Sequence, residues 1–410
     1  MKHLTISVIG LGYIGLPTAA LLAGNGYSVL GVDISQLAVS TINQGKIHIV
    51  EPDLELFVRS AVSAGRLKAS TKPQAGDVYI ICVPTPLHDG EGFPKPNIDH
   101  VMEATMSIAG FVKQDDLIIL ESTCPVGTTE KIQNSLRDFG VDVNKVHIAY
   151  CPERVLPGNI MIELVENDRI VGGVTAKATK TVADFYRTFV QGNVVETDAK
   201  TAEMCKLTEN SFRDVNIAFA NELSLICDNE GVNVWEVIQL ANRHPRVNIL
   251  QPGVGVGGHC IAVDPWFIVN RDQKNARLIR TAREVNLFKA DWVVNQIKSA
   301  VAEFSTKVGL KPKIACLGLA FKPDIDDLRE SPALNITQNL IAQGYDVVAV
   351  EPNLNSHPEI NLVTLEQLKH EDYVVAVLVK HSEFTKCDLT ALRSNNLCID
   401  FCGVLISADS

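Results

Sequence analysis

Thr5-Ile-Ser-Val-Ile-Gly-Leu-Gly-Tyr-Ile-Gly15 carries the reading that decides the fold. The β-rich run Thr5–Ile9 leads directly into a G-x-G-x-x-G loop, and Ile14–Gly24 continues with a helical pattern. Ser28–Val32 then reads as a second strand, closed by Asp33. A glycine triplet alone says little, but strand, loop, helix, strand and acid in this order describe a dinucleotide-binding βαβ unit. Gly10 permits the tight turn, Gly12 lets the backbone approach a pyrophosphate, and Gly15 allows the helix to pack closely on the strand. The helix N-terminus offers amides and positive potential to phosphates. Asp33 would accept hydrogen bonds from a ribose 2′-OH and repel a 2′-phosphate, which favours NAD over NADP. The competing reading is a structural glycine turn with no ligand.

Outward from this unit, strand-like runs recur at Val78–Val83, Leu117–Glu121 and His147–Tyr150. Strand–helix alternation at this spacing predicts right-handed βαβ units in a parallel, doubly wound sheet. The unbroken apolar run Val78-Tyr-Ile-Ile-Cys-Val83 fits a strand covered on both faces. The period then changes. Between Thr197 and Asn229, Val215, Ala218, Phe219, Leu223 and Ile226 recur at helical spacing, while Lys206, Asn210, Arg213 and Asp214 fall on a separate polar stripe. Glu284–Phe304 is a second long amphipathic stretch, and the glycine-rich Pro252–Gly258 between them reads as a loop. From Lys313 the βα alternation resumes. Gly26-Tyr-Ser-Val-Leu-Gly-Val-Asp33 and Gly344-Tyr-Asp-Val-Val-Ala-Val-Glu351 both run from a helix-ending glycine through a strand to a carboxylate, an internal pseudo-repeat. The expected α/β architecture is two Rossmann-like doubly wound parallel-sheet domains, 1–195 and 309–410, joined by a central helical domain, 196–308, with a long connecting helix.

Composition limits the function classes. The 410 residues include 37 Lys plus Arg and 48 Asp plus Glu, a net charge of −11, which disfavours nucleic acid as a partner. Hydrophobic residues at 46% and charged residues at 21% argue against disorder. No apolar run approaches the ~18 residues of a membrane span, and Met1–Gly10 lacks the features of a signal peptide. The ten cysteines sit mostly in apolar segments and read as reduced thiols, so a cytoplasmic location is the expectation.

Three groups of residues carry chemistry. Thr85 and Thr123 stand at carboxyl ends of predicted strands, where open α/β sheets bind ligands; both also fit plain turns. Gly255-Val-Gly-Gly-His-Cys260, with Asp264 four residues on, places a cysteine in a glycine-rich loop whose amides can lower a thiol pKa and hold an oxyanion. A packing cysteine is the alternative. Lys206 and Asn210 lie i, i+4 on one helix, with Arg213 near; a solvated stripe is the bland reading. His244, Arg246 and Arg154, beside Glu153, can form anion sites or remain solvated. Cys398 and Cys402 lack a second pair for zinc, and no metal is expected.

In order along nearly the whole chain, the glycine loop, the Thr-bearing strand ends, Cys151-Pro-Glu-Arg154, Lys206-Leu-Thr-Glu-Asn210, Gly257-Gly-His-Cys260 with Asp264, and Phe321-Lys-Pro-Asp with Asp327-Leu-Arg-Glu-Ser331 resemble the UDP-sugar 6-dehydrogenase family. The resemblance implies a homodimer built on the central helix and a four-electron oxidation of a C6 alcohol to a carboxylate, with two NAD consumed per substrate. UDP-glucose members carry Lys where this chain has Val263, and often a second Glu where it has Pro157. Both departures point to a UDP-N-acetylhexosamine: UDP-N-acetyl-D-mannosamine is the expected substrate and UDP-N-acetylglucosamine the near alternative. The product would serve bacterial surface polysaccharide synthesis.

By the same resemblance, Cys260 is the nucleophile that captures the aldehyde, Lys206 and Asn210 stabilise the oxyanion, Asp264 and Lys206 hold the water or proton acceptor, Glu153 is the base for thioester hydrolysis, and Thr123 belongs to the same catalytic set. Gly10, Gly12, Tyr13, Ile14, Gly15, Asp33, Thr85, Thr123 and Arg329 would hold NAD. Arg154, Val155, Lys206, Asn210, Arg213, Gly257 and Lys322 would hold the sugar nucleotide, with His244 and Arg246 reaching across the dimer. Readings from other classes are a two-electron β-hydroxyacid dehydrogenase and a non-catalytic NAD- and UDP-sugar-binding regulator.

Overall fold

The computed structural model describes residues 4–88, 92–156, 158–309, 312–370, 372–387, 392 and 396–405; Pro157 lies outside them. The chain divides into two compact units, Met1–Glu209 with Trp266–Arg271, and Asn210–Pro265 with Asp272–Ser410. The first holds β1 (Thr5–Ile9), β2 (Ser28–Val32), β3 (Leu67–Ser70) and β4 (Val78–Ile81). A small antiparallel ribbon, β5 (Leu87–His88) with β6 (Lys95–Pro96), follows. Then come β7 (Leu117–Leu120), β8 (His147–Tyr150), β9 (Arg169–Gly173) and β10 (Val194–Asp198).

The main sheet runs β10-β9-β8-β7-β4-β1-β2-β3, so the strand order reverses direction beside β1. Parallel register pairs Ile9 with Val32 and Ile81, Ile81 with Leu120, and Leu120 with Tyr150. Gly10, Asp33, Glu121 and Cys151, each next in chain, therefore line one carboxyl edge. Alternate side chains feed opposite faces: Val78 and Ile80 join one buried layer, Tyr79 and Ile81 the other. This is the doubly covered strand expected from its unbroken apolar run.

The expectation of an all-parallel first sheet needs one correction: β8 and β9 pair antiparallel. After β8 the chain stays at the carboxyl edge, and helix Ile160–Glu166 packs beside helix Gly15–Gly24. With no crossover to the opposite edge, β9 re-enters from the edge the chain has just left. Arg169, its first residue, is thereby delivered to that edge.

The second unit contains a five-stranded, all-parallel sheet, β13 (Asn361–Leu362), β12 (Val347–Val350), β11 (Lys313–Leu317), β14 (Tyr373–Val377) and β15 (Leu397–Asp400), in that spatial order. Ser331 caps helix Pro332–Ala342 by accepting from the Leu334 amide at 3.3 Å. Two long helices, Ala199–Asn229 and Arg277–Val308, bracket the glycine-rich loop in sequence.

Helix Ala199–Asn229 departs in part from the expected polarity of its faces. Asn210, Asp214 and Asn221 are buried, whereas Phe212, Phe219 and Ile226 are exposed. Asp214 and Asn221 find partners on helix Arg277–Val308. Arg283 pairs with Asp214 at 2.7 Å, Asn286 donates to Asp214 at 2.8 Å, and Asn221 donates to Asn286 at 2.9 Å. These bonds offset part of the cost of burying the polar groups, and breaking such an ion pair costs about 3–5 kcal/mol. Among the described residues, no helix is long and apolar enough to cross a membrane.

Candidate active site

In the first unit, the three loop glycines have distinct surroundings. Gly10 has φ +89°, and a Cβ there would meet the Cys82 carbonyl oxygen at 2.6 Å. A Cβ on Gly15 would fall 1.8 Å from the Gly10 oxygen. A Cβ on Gly12 would meet nothing within 4 Å, so its backbone borders open space. Helix Gly15–Gly24 has no side-chain cap and no acid in its first turn, which leaves its N-terminal dipole available to an anion. Asp33 Oδ2 accepts from the Leu11 amide at 2.9 Å and Oδ1 from the Ser35 amide at 2.8 Å. These bonds fix the carboxylate at the β2 terminus while it stays partly exposed. An open Gly12, an uncapped helix and a fixed, accessible acid fit a dinucleotide. Tyr13 and Ile14, both half-buried, form the turn between them.

The two threonines are brought together, since Thr85 Oγ1 donates to the Thr123 carbonyl at 2.6 Å. The Thr123 loop has a further anchor that the sequence did not indicate. Glu203 is fully buried on helix Ala199–Asn229 and accepts from the Gly127 amide at 2.5 Å, the Thr129 amide at 2.8 Å and Thr129 Oγ1 at 2.7 Å. Gly127 cannot cap helix Thr128–Phe139 with a side chain; Glu203 does so from elsewhere in the unit. Burial pushes its carboxyl up, against the opposing bonds from Thr129 and Gly127. Half-buried Lys206 follows three residues later on the same helix.

Glu153 is buried, with one oxygen paired to Arg169 and the other accepting the Arg154 amide at 2.7 Å. Arg169 also crosses the Tyr186 ring, 5.5 Å from its centroid, and donates to the Leu164 carbonyl at 3.0 Å. Arg154 forks onto Glu209 at 2.8 and 3.2 Å, and half-buried Val155 packs against the core. Arg169 was missed at the sequence level because β9 was not recognised.

In the second unit, Asn210 Nδ2 donates to Asp264 Oδ2 at 2.5 Å, and both residues are buried. The Asp264 amide donates back to the Cys260 carbonyl at 2.9 Å. Cys260 is exposed on the turn that precedes helix Asp264–Arg271. Both ends of its glycine loop are fastened: Gly253 N–H donates to Asn221 at 2.9 Å, and Gly258 N–H to the Arg329 carbonyl at 3.1 Å. A Cβ on Gly257 would strike the Glu330 oxygen at 2.4 Å, so glycine permits this close approach. Lys322 is half-buried on segment 318–331. The Arg329 guanidinium bonds Asp327 at 2.6 Å.

Arg213, His244 and Arg246 are exposed; the Arg246 amide donates to His244 Nδ1 at 3.3 Å. Cys387 is exposed, as Cys260 is, so it departs from the apolar placement expected for most of the cysteines.

Residues 4–190 match the NAD-binding domain of the UDP-glucose/GDP-mannose dehydrogenase family, residues 200–287 its central domain, and residues 315–407 its UDP-binding domain. The chain belongs to this family. Among its relatives, UDP-N-acetyl-D-mannosamine dehydrogenase of Escherichia coli (strain K12) is 55% identical over 94% of this chain and 95% of its own. NDP-N-acetyl-D-galactosaminuronic acid dehydrogenase of Ralstonia nicotianae is 53% identical over 95% and 94%. The solved structure of a UDP-D-ManNAc dehydrogenase from Pyrococcus horikoshii superposes with a TM-score of 0.87 at 38% identity, covering 98% of this chain and 96% of that one. A member of the UDP-glucose/GDP-mannose dehydrogenase family with these domains is an NAD-dependent oxidoreductase of nucleotide sugars.

Proposed function

We propose that the chain oxidises the C6 alcohol of UDP-N-acetyl-D-mannosamine to UDP-N-acetyl-D-mannosaminuronate through a thioester on Cys260. The observation that carries the chemistry is the exposed thiol on a turn bonded to Asp264, whose carboxylate is held by Asn210. The sugar rests on the 55% identity to the E. coli enzyme and on Val263. The product supplies a uronate for bacterial surface polysaccharide.

Gly10, Gly12, Tyr13, Ile14, Gly15, Asp33, Thr85, Thr123 and Arg329 hold the cofactor, and no metal takes part. When bound, NAD⁺ supplies the hydride acceptor for each of the two oxidations, so two are consumed per sugar. The remaining work falls to the chain. Asp264 and Lys206 hold the water that takes the C6 hydroxyl proton. The Cys260 thiolate adds to the aldehyde carbon, and Lys206 with Asn210 stabilises the resulting alkoxide. The second oxidation leaves a thioester. Water then attacks that carbonyl, the C–S bond breaks, and carboxylate and thiol are released, with Glu153 receiving the water's proton. Covalent capture keeps the reactive aldehyde from escaping between steps.

Arg154, Val155, Arg213, Gly257 and Lys322 bind the sugar nucleotide. The chain is organised as 1–195, 196–308 and 309–410, and works as a homodimer in which His244 and Arg246 reach the partner's substrate. The exposed Phe212, Phe219 and Ile226 on one helix, with Leu287 and Phe288 on the other, support such an interface. The test is an NADH assay across UDP-N-acetylmannosamine, UDP-N-acetylglucosamine and UDP-glucose. Two NADH per UDP-N-acetylmannosamine supports the reading. One NADH supports the β-hydroxyacid dehydrogenase alternative, and faster turnover of UDP-glucose overturns the sugar assignment.

A further inference from the structure

The pseudo-repeat places Asp33 and Glu351 at the same point of their sheets, immediately after β2 and after β12. Each receives the amide that follows its strand-end glycine, Leu11 N–H at 2.9 Å on Asp33 and Leu319 N–H at 2.7 Å on Glu351. Their environments then diverge. Asp33 remains partly exposed, but Glu351 is buried and accepts four further bonds, from the Ala320 amide at 3.0 Å, the Asn353 amide at 3.1 Å, Asn353 Nδ2 at 3.2 Å and His381 Nε2 at 3.1 Å. The second carboxylate is sealed against any ligand by the fold itself.

His381 is completely buried. Its Nδ1 accepts the Asp324 backbone N–H at 2.9 Å, which puts the proton on Nε2, where Glu351 takes it. The Asp324 side chain in turn accepts the Ser382 amide at 2.8 Å. Burial pushes the Glu351 carboxyl up, but the bonds from His381 and from the Leu319 and Asn353 amides outweigh it and bring it down to about 2. The acceptor is therefore a full anion at any working pH.

These bonds grip the segment that leaves β11. Ser331 Oγ closes its far end on the Leu319 carbonyl at 2.7 Å. The Cys260 loop rests on the same segment: Gly258 N–H bonds the Arg329 carbonyl at 3.1 Å, and a Cβ on Gly258 would fall 2.8 Å from the Phe321 ring. Lys322 and Arg329 are part of the segment.

We propose that His381 is a positioning residue for the reacting thiol: with Glu351 it fixes segment 318–331, and that segment fixes the Cys260 loop. His381 touches neither substrate nor cofactor in this account and acts only through the backbone it holds. The inference rests on Cys260 as nucleophile.

The test uses the full-length enzyme with His381→Phe and His381→Asn. Loss of the ring's bonds to Asp324, Asn353 and Glu351 in His381→Phe should lower kcat by about ten- to a hundredfold, as expected for a displaced reacting group, with little change in KM for NAD. His381→Asn, whose side-chain oxygen can still take the Asp324 N–H, should recover most of the loss. Iodoacetamide alkylation followed by peptide mass gives a readout that needs no catalysis. Cys260 should react at a rate altered several-fold in His381→Phe while Cys387, the other exposed thiol, reacts as before.

Wild-type kcat and wild-type Cys260 alkylation in a folded His381→Phe protein would overturn the proposal, as would equal changes at Cys260 and Cys387. If His381→Phe does not fold, Glu351→Gln, which weakens the same grip on segment 318–331, carries the comparison. Uronate formation by Cys260→Ser at the full rate would defeat the nucleophile reading and leave the alkylation result standing by itself.

Discussion

The Asn210 amide donates to the Asp264 carboxylate across 2.5 Å, with both groups buried and Cys260 bonded to the Asp264 amide through its own carbonyl. The bond ties Asn210 to the turn that carries the thiol. It also fixes the orientation of the carboxylate at that turn. Asp264→Asn keeps the shape and removes the charge, so the protein should fold while kcat falls by about 10²–10³-fold, the usual scale for a catalytic proton-handling group. Steady-state NADH formation checks this, with circular dichroism as the control. A variant retaining more than half the wild-type kcat would remove Asp264 from the proton path.

Gly12 and Gly15 separate binding from packing within one loop. A Cβ at Gly12 enters open space, so Gly12→Ala should leave thermal stability unchanged and raise KM for NAD by at least about tenfold, as the methyl occupies the phosphate approach. Gly15→Ala forces a methyl to 1.8 Å from the Gly10 oxygen and should lower the melting temperature sharply. If the two variants have the same melting temperature, the packing role of Gly15 is wrong.

Glu153 and Arg169 form a buried ion pair at the edge where antiparallel β9 begins. Glu153→Gln should accumulate the thioester: the first turnover still releases NADH in a burst, and subsequent turnover slows by about 10²-fold. Rapid-mixing absorbance, with intact mass of the trapped acyl-enzyme, distinguishes this from a general loss of activity. Arg169→Met strands a buried carboxylate and should cost about 3–5 kcal/mol in urea unfolding.

What was legible in the sequence was local. The glycine loop, Asp33 and strands β1, β2, β4, β7 and β8 are recognisable from local turn, strand and acid patterns, whereas β3, β5 and β6 were not read. Periodicity also located helix Ala199–Asn229, yet Phe219 and Ile226 face outward and Asp214 inward. A period identifies which residues share a face, but not whether the covering partner is this chain's core or another molecule. Glu203 gave no signal, since its partner Thr129 stands 74 residues away and only the folded chain joins them. Arg169 was hidden by the strand reversal at β9, and His381 by a contact 30 residues distant, with Glu351. Cys260 and Lys206 were ambiguous as isolated residues and acquired roles only from the ordered set of motifs.

Lys289 provides a prediction about stability rather than turnover. It is buried on helix Arg277–Val308, donates to Ser224 Oγ at 2.8 Å and lies 4.0 Å from the Trp292 ring centroid. Burial, opposed by the charge of Asp228, pulls its ammonium down from 10.5 to about 8. Between those values the unfolded chain binds the proton and the folded chain releases it, so stability must rise as pH rises through that window. At neutral pH the folded protein carries a desolvated ammonium. Lys289→Met, similar in length and uncharged, should therefore gain about 1–2 kcal/mol near neutral pH, net of the lost cation–π contact. It should also flatten the alkaline rise in the urea midpoint. A variant less stable than wild type near neutral pH, with the rise intact, would show that Ser224 and Trp292 compensate the ammonium fully and that another group titrates there.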